Sequence, residues 1–431
     1  MRTFLVAGGI VLALAACESA SSERIEAWKG TQKGPDKIEA ALRGGNVPAN
    51  LRAEAAAALV DIGRPEKVDE IMAAMDAGER WEILKTLVEI HIKGMSSPQL
   101  PKAREARDGL FSVRQYAPPE EQKRIDGVLL ASIEKDLSEG RFTGGRHSLD
   151  KILSAIGPAS GPMLVKLLGD PKSPYKGLAE LLVKVCDEPT RDKGGAALLG
   201  RVSAGRQVPI DMWLSLGLLG GAKVTDYLSD KMEKGSAEDA IFATKALQQA
   251  RFPTVLPLAL KIAGDAKANK ELRGEAFGVI EKIGGPEAQK GLLRIIAEDK
   301  NELVRYRAHE AALEVGKGDA IVPALQAFSG KLSFKREDVV DFLVKDISKL
   351  GAKAKPQVLA ALASPSALAR MTAVLALEAP VASNPKGRLG GPEDAAAVLK
   401  LADDKAVIKG FPSGGSVGAE AKRVASLLQA K

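Results

Sequence analysis

The sequence predicts an all-α protein, a right-handed α-solenoid of stacked helical hairpins. Three observations carry that expectation. The 431 residues are 45% hydrophobic and 27% charged but only 4% aromatic, and alanine, leucine and lysine dominate. This is helix-former composition, poor in the residues that strands prefer, and it argues against a large sandwich or barrel. It also excludes a disordered chain and a polytopic membrane protein. Apolar and small residues recur at offsets of three, six or seven, and ten, which is one face of an α-helix. That pattern itself returns along the chain with glycine at the end of each stretch, so length is filled by repetition rather than by two or three unrelated domains.

The elements follow in chain order. Arg2 gives a positive start, and Phe4 to Leu14 is an uninterrupted run of apolar or small residues. A membrane-spanning helix needs about 20 apolar residues, so the run is too short to span and fits the core of a secretory signal. It ends in Leu14-Ala15-Ala16-Cys17. An aliphatic residue, two small residues and a cysteine resemble the lipobox of bacterial lipoproteins. The resemblance implies a leader over 1–16, cleavage before Cys17, a thioether-linked diacylglycerol on its sulfur and a further acyl chain on the new amino group. Two or three chains anchor stably where one does not, at about 0.8 kcal/mol per buried methylene. Glu18 in place of aspartate implies, by the same resemblance, the outer membrane facing the periplasm. Loss of the leader lowers the net charge of +7 by one and leaves Cys186 as the only free thiol, so no intrachain disulfide can brace the fold. Cys186 ends an apolar helical stretch and reads as a buried, inert cysteine. Residues 17–34, with Ser19, Ser21 and Ser22, read as a polar tether.

The repeat is anchored on Arg52, Arg273, Arg305 and Arg370. Each follows a small or apolar residue, and alanine follows three positions later at Ala55, Ala276, Ala308 and Ala373. Eleven positions on, the first three reach Gly63, Gly284 and Gly316, and the fourth departs with Val381. Glycine there suits a left-handed residue closing a helix. Pro65-Glu66 and Pro286-Glu287 then open a second helix, since proline is tolerated in the first turn and an acid there complements the helix dipole. Gly284 to Gly316 spans 32 residues and Gly316 to Gly351 spans 35, one hairpin each.

Leu51-Arg52-x-x-Ala55 running to Ile62-Gly63, and Val304-Arg305-x-x-Ala308 running to Gly316, resemble HEAT repeats, nearest to the short bacterial type also called PBS-lyase-like. The match is strongest over 265–380, fair over 36–76 and carried by spacing over 77–264. It implies an armadillo-type superhelix and a protein-binding surface, and it implies no activity. The tetratricopeptide pattern has no support at matching offsets. The solenoid is expected over 35–382, with irregular segments at 94–119 and 138–147. A loop is expected at 383–391, a helix at 392–404, and a capping helix at 419–430 within a C-terminal region 383–431. The arginines are expected to form a ladder along one edge, pairing with neighbouring carboxylates or carbonyls.

Motifs for chemistry are sparse. His91, His147 and His309 fall in different repeats, with neither HExxH nor CxxC, so no catalytic, metal or cofactor set emerges. Gly140 to Ser148, with Arg141, Arg146 and His147, offers amides and cations to an anion but lacks the strand-to-helix context of a phosphate loop. Glu298-Asp299 and Asp403-Asp404 read as solvated helix caps, and Trp28, Trp81 and Trp213 are too scattered for a cage. The basic balance permits nucleic-acid binding, but export and the absence of any Lys/Arg run argue against it. The expectation is a lipid-anchored envelope protein, not an enzyme, that binds a protein or peptide partner. The alternative is an envelope enzyme or ligand-handling accessory with a site in 94–119 or 138–150.

Overall fold

The computed structural model describes residues 19–139, 147–173, 177–202, 207–328, 339–381, 384–408 and 415–430. The leader, Cys17 and the glycine-rich stretch 140–146 lie outside them. The chain divides into two compact units, one of residues up to 174 with 184–186, the other of 175–183 with 187 onwards.

In the second unit the hairpins follow one another in register. The first helices are Ile210–Leu219, Ala237–Leu247, Lys270–Ile283, Glu302–Gly316, Val339–Lys349 and Ala367–Glu378, each packed on the next. The second helices Leu256–Gly264, Gly285–Glu298, Ile321–Phe328 and Lys355–Ala361 do the same. This translational packing makes the unit an α-solenoid, because each hairpin buries its apolar stripe only against its neighbours. The stripes explain it: Ala276, Val279 and Ile283 are buried on one helix, Ala308, Ala311 and Ala312 on the next. Small side chains at these positions let helix axes come close. Asn269, Asn301, Ser236 and Ser366 cap helix starts by accepting backbone N–H donors.

Helices meet backbone to backbone at Gly217, where a Cβ would lie 1.9 Å from the Ala246 carbonyl oxygen. Gly274, also inside a helix, has nothing within 4 Å of its Cβ position. Opposite outcomes are therefore expected from one substitution. Gly274→Ala should stabilise by about 0.5–1 kcal/mol through helix propensity. Gly217→Ala should cost about 2 kcal/mol net, because overpacking against backbone outweighs that gain. Denaturant midpoints of the two variants check both signs.

The first unit contains Ser22–Trp28, Gly34–Arg43, Ala49–Asp61, Pro65–Ala74, Ala77–Gly94, Leu100–Arg114, Pro119–Ser138, Leu149–Ile156 and Gly161–Gly169. Leu149–Gly169 is apolar enough over 21 residues to match a membrane span by length and composition. It is interrupted by a 3-10 turn at Gly157–Ser160, with Gly157 at φ 72°.

Several expectations need correction. The tether 17–34 includes a packed helix, Ser22–Trp28, because Ile25 and Trp28 are buried. Segment 94–119 is not irregular: Leu100–Arg114 is helical, and Pro101 and Pro119 sit in first turns, where a missing N–H costs nothing. In 383–391, residues Asn384–Arg388 form a strand pairing antiparallel with Pro380–Val381. The helix expected over 392–404 is confined to Ala395–Leu399, after a 3-10 turn. The terminal helix Val417–Gln429 covers the end of Ala367–Glu378.

Gly63 and Gly284 adopt φ 76° and 64°, the left-handed region that favours glycine. Gly316 does not: its φ is −99°, and the following Lys317 carries φ 50°. Gly316 is small for another reason, since a Cβ there would lie 2.8 Å from the Ala320 Cβ. Lys317→Gly is accordingly expected to raise stability by about 1 kcal/mol, read as a higher thermal midpoint.

Candidate functional site

The four arginine anchors share one geometry. Each reaches back to a carbonyl at the C-terminal end of the preceding hairpin. Arg52 Nε donates to Leu42 O (2.8 Å), and Arg273 donates to Ala263 O from Nε (3.1 Å) and Nη2 (3.0 Å). Arg305 Nε donates to Ile296 O, and Arg370 Nη1 to Ser364 O (2.8 Å). Each also reaches forward: Arg52 to Glu79 (2.6 Å), Arg273 to Asp299 (2.6 Å), Arg305 to Phe328 O (2.8 Å) and Arg370 to Asp404 (2.7 Å). One cation thus satisfies orphan carbonyls at a helix end and ties consecutive hairpins together. Arg80 does the same toward Met72 O (3.0 Å). The sequence reading missed it because acidic Glu79, not a small or apolar residue, precedes it. Asp299 is not a solvated cap, since its side chain is 5% exposed beneath Arg273. The bond from Arg370 is the largest influence on Asp404 and holds its carboxyl below the ordinary aspartate range.

An open concavity lies in the first unit. Ala49–Asp61 and Pro65–Ala74 turn sharply at Gly63 and face Leu100–Arg114 across an open cleft of about 530 Å³. Its walls carry apolar Val60, Pro65 and Pro101. Four acids, Asp61, Glu66, Glu105 and Asp108, line it against one cation, Arg104. Asp61 accepts a bond from Lys29 Nζ (2.7 Å), and Asp108, 5% exposed, lies 3.9 Å from Arg107 Nε.

His91 stands behind the wall at Gly109. A Cβ on Gly109 would lie 2.4 Å from His91 Cε1 and 2.7 Å from Nε2, so the imidazole occupies the space a side chain would take. His91 is 4% exposed, and its Nε2 has no hydrogen-bond partner among the described residues. Burial pushes its pKa down to about 4, against a smaller opposing pull from Asp61. It is neutral at physiological pH.

Ser112 also lines the cleft and lies 3.2 Å from His147 Nε2, while Lys151 Nζ is 3.4 Å from Nδ1. An ammonium can only donate, so Nδ1 accepts and the ring proton sits on Nε2, donating to Ser112. That polarity is opposite to what a general base for Ser112 needs.

Elsewhere the polar groups are spent on structure. A groove of about 540 Å³ between Leu256–Gly264 and Gly285–Glu298 is flanked by Lys261 and Arg294, which pair with Glu233 (2.8 Å) and Glu298 (3.0 Å). His309 is fully buried, with Nδ1 3.5 Å from an Asp346 oxygen. Cys186 is half-buried rather than buried. Trp213 stacks on Tyr227 at 5.6 Å, far in sequence from Trp28 and Trp81. No cluster of three or more potential metal ligands occurs among the described residues.

A family model for HEAT repeats matches residues 215–313, a stretch that includes Arg273 and Arg305. Among solved structures, UNC-45 from Drosophila melanogaster is similar at 12% identity, with 95% of this chain and 62% of that chain covered and a TM-score of 0.24. This chain therefore spans less than two thirds of that structure's length. Among curated proteins none matches. The stacked hairpins make the fold an all-α solenoid, and HEAT repeats are matched within it over 215–313.

Proposed function

We propose that this protein is a lipid-anchored scaffold of the bacterial cell envelope, held by acyl chains on Cys17 and binding a protein or peptide partner through its helical-repeat surface. The observation that carries the reading is the open cleft of the first unit, whose walls combine apolar side chains with acids in a chain of net charge +7. Hairpin stacking leaves such surfaces exposed while the arginine ladder consumes the helix-end carbonyls. In this reading the chain is not an enzyme and takes no cofactor. Leu14-Ala15-Ala16-Cys17 supports the anchor, and Glu18 supports an outer-membrane address facing the periplasm. Two acyl chains suffice for stable attachment.

The test joins both halves. Cells expressing the full chain are labelled with a palmitate analogue, fractionated and crosslinked. Label on the wild type in the outer membrane, its loss in Cys17→Ser, and a discrete crosslinked protein partner are expected. Equal labelling of Cys17→Ser overturns the anchor, and recovery of no partner overturns the scaffold.

A further inference from the structure

We propose that the first unit rests directly on the phospholipid headgroups of the membrane that holds its anchor, with the helix Ser22–Trp28 and the turn after it as the contact surface. This deepens the anchor reading and rests on it.

The length of chain between lipid and fold carries the inference. Only Glu18 separates Cys17 from the first described residue, Ser19. Two Cα steps span at most about 7 Å. A bilayer of about 40–45 Å with a hydrocarbon core of about 30 Å leaves about 5–8 Å of headgroups on each side. With the acyl chains of Cys17 in the core, Ser19 stands at about the water edge of that layer.

From Ser19 onward the chain is bonded to the fold. Arg24 Nη1 donates to the Ser19 carbonyl (2.9 Å), and Ser21 Oγ accepts from the Arg24 N–H (3.3 Å). The helix Ser22–Trp28 has 7 residues, too few to persist alone in water. It is held by burial of Ile25 and Trp28 where it packs on Gly34–Arg43 and Ala49–Asp61. Lys29 Nζ adds a bond to Asp61 (2.7 Å). The turn closes backbone on backbone, since a Cβ on Gly34 would lie 1.7 Å from the Trp28 carbonyl oxygen. What reads in the sequence as a polar tether therefore gives the anchored body almost no slack.

The surface fits headgroups and not the core. Glu23, Arg24, Glu26 and Ala27 form the exposed face of the helix. Arg24, Lys33 and Lys37 are offset by Glu23, Glu26 and Asp36, so no polybasic patch draws anionic lipid. Among the described residues of the first unit no large apolar side chain is exposed for insertion. Contact with a zwitterionic layer follows because the short link keeps the surface there at high effective concentration.

The test uses the acylated full chain with Ala27→Cys in a Cys186→Ser background, spin-labelled at position 27. It is reconstituted in phosphatidylcholine vesicles that carry a nickel-chelating lipid. A second chain has about twelve Gly/Ser residues inserted between Glu18 and Ser19, which add about 20 Å of root-mean-square reach. Nickel should shorten the relaxation of the label several-fold more in the native chain than in the extended one, at equal thermal midpoints. Adding phosphatidylglycerol should leave that difference unchanged. Equal relaxation in the two chains, or a difference that arises only with phosphatidylglycerol, overturns the contact. Palmitate label on Cys17 separates the two failures. Its presence with equal relaxation sinks this contact alone, whereas its absence from the wild type sinks the anchor.

Discussion

Replacing Arg273 with methionine is expected to destabilise the second unit by about 3–5 kcal/mol, the cost of breaking a buried pair from one side. Arg273 is 6% exposed, and the Asp299 side chain beneath it is 5% exposed. Without the guanidinium, Asp299 keeps only the Asn301 N–H at 2.7 Å, and the Ala263 carbonyl loses its donor. Neutralising the orphaned carboxylate in Arg273→Met/Asp299→Asn should recover a substantial part of the loss, because the asparagine can still accept from Asn301. Arg294→Ala, removing an exposed pair with Glu298, should change stability by less than about 0.5 kcal/mol. Denaturant titration of the four chains checks the ordering. Hydrogen exchange should place the loss in the hairpins on either side of Arg273, since solenoid stability is a sum of neighbour interfaces. A single variant no worse than Arg294→Ala would show that the ladder is incidental.

Acidification is expected to weaken the first unit well before its carboxylates are all protonated. His91 titrates at about 4 in the folded chain, against an ordinary value of 6.5. The depressed value means that the fold holds the neutral ring, while the unfolded chain takes up a proton first as pH falls. The stabilisation is complete above about pH 6.5 and is lost progressively down to pH 4. The loss totals on the order of 3 kcal/mol at about 1.4 kcal/mol per unit. Stability measured between pH 7 and 4 should slope downward in the wild type and flatten in His91→Leu. Parallel slopes would show that the ring is solvated in the folded state.

How much of this was legible beforehand varies by residue. The arginine anchors and the alanines three positions later were visible because a helix face repeats on a short local period. The turn glycines at 63 and 284 were visible because only glycine takes positive φ without cost. Gly316 misled because glycine has a second use, close packing, and the strained turn fell on Lys317 instead. Segment 94–119 misled because proline breaks a helix interior yet opens a helix start. Asp299 read as a surface cap, since its burial depends on an arginine 26 residues away.

The sequence by itself determined the all-α class, the hairpin period and the cysteine that carries the proposed anchor, because these follow from local periodicity and short motifs. The tertiary structure decided that Asp61, Glu66, Glu105 and Asp108 line one cleft and that the His91 ring fills the space beside Gly109. Those residues lie on helices separated along the chain, and no local pattern encodes which faces meet. Stacking sets that, through side-chain volumes summed over neighbouring hairpins.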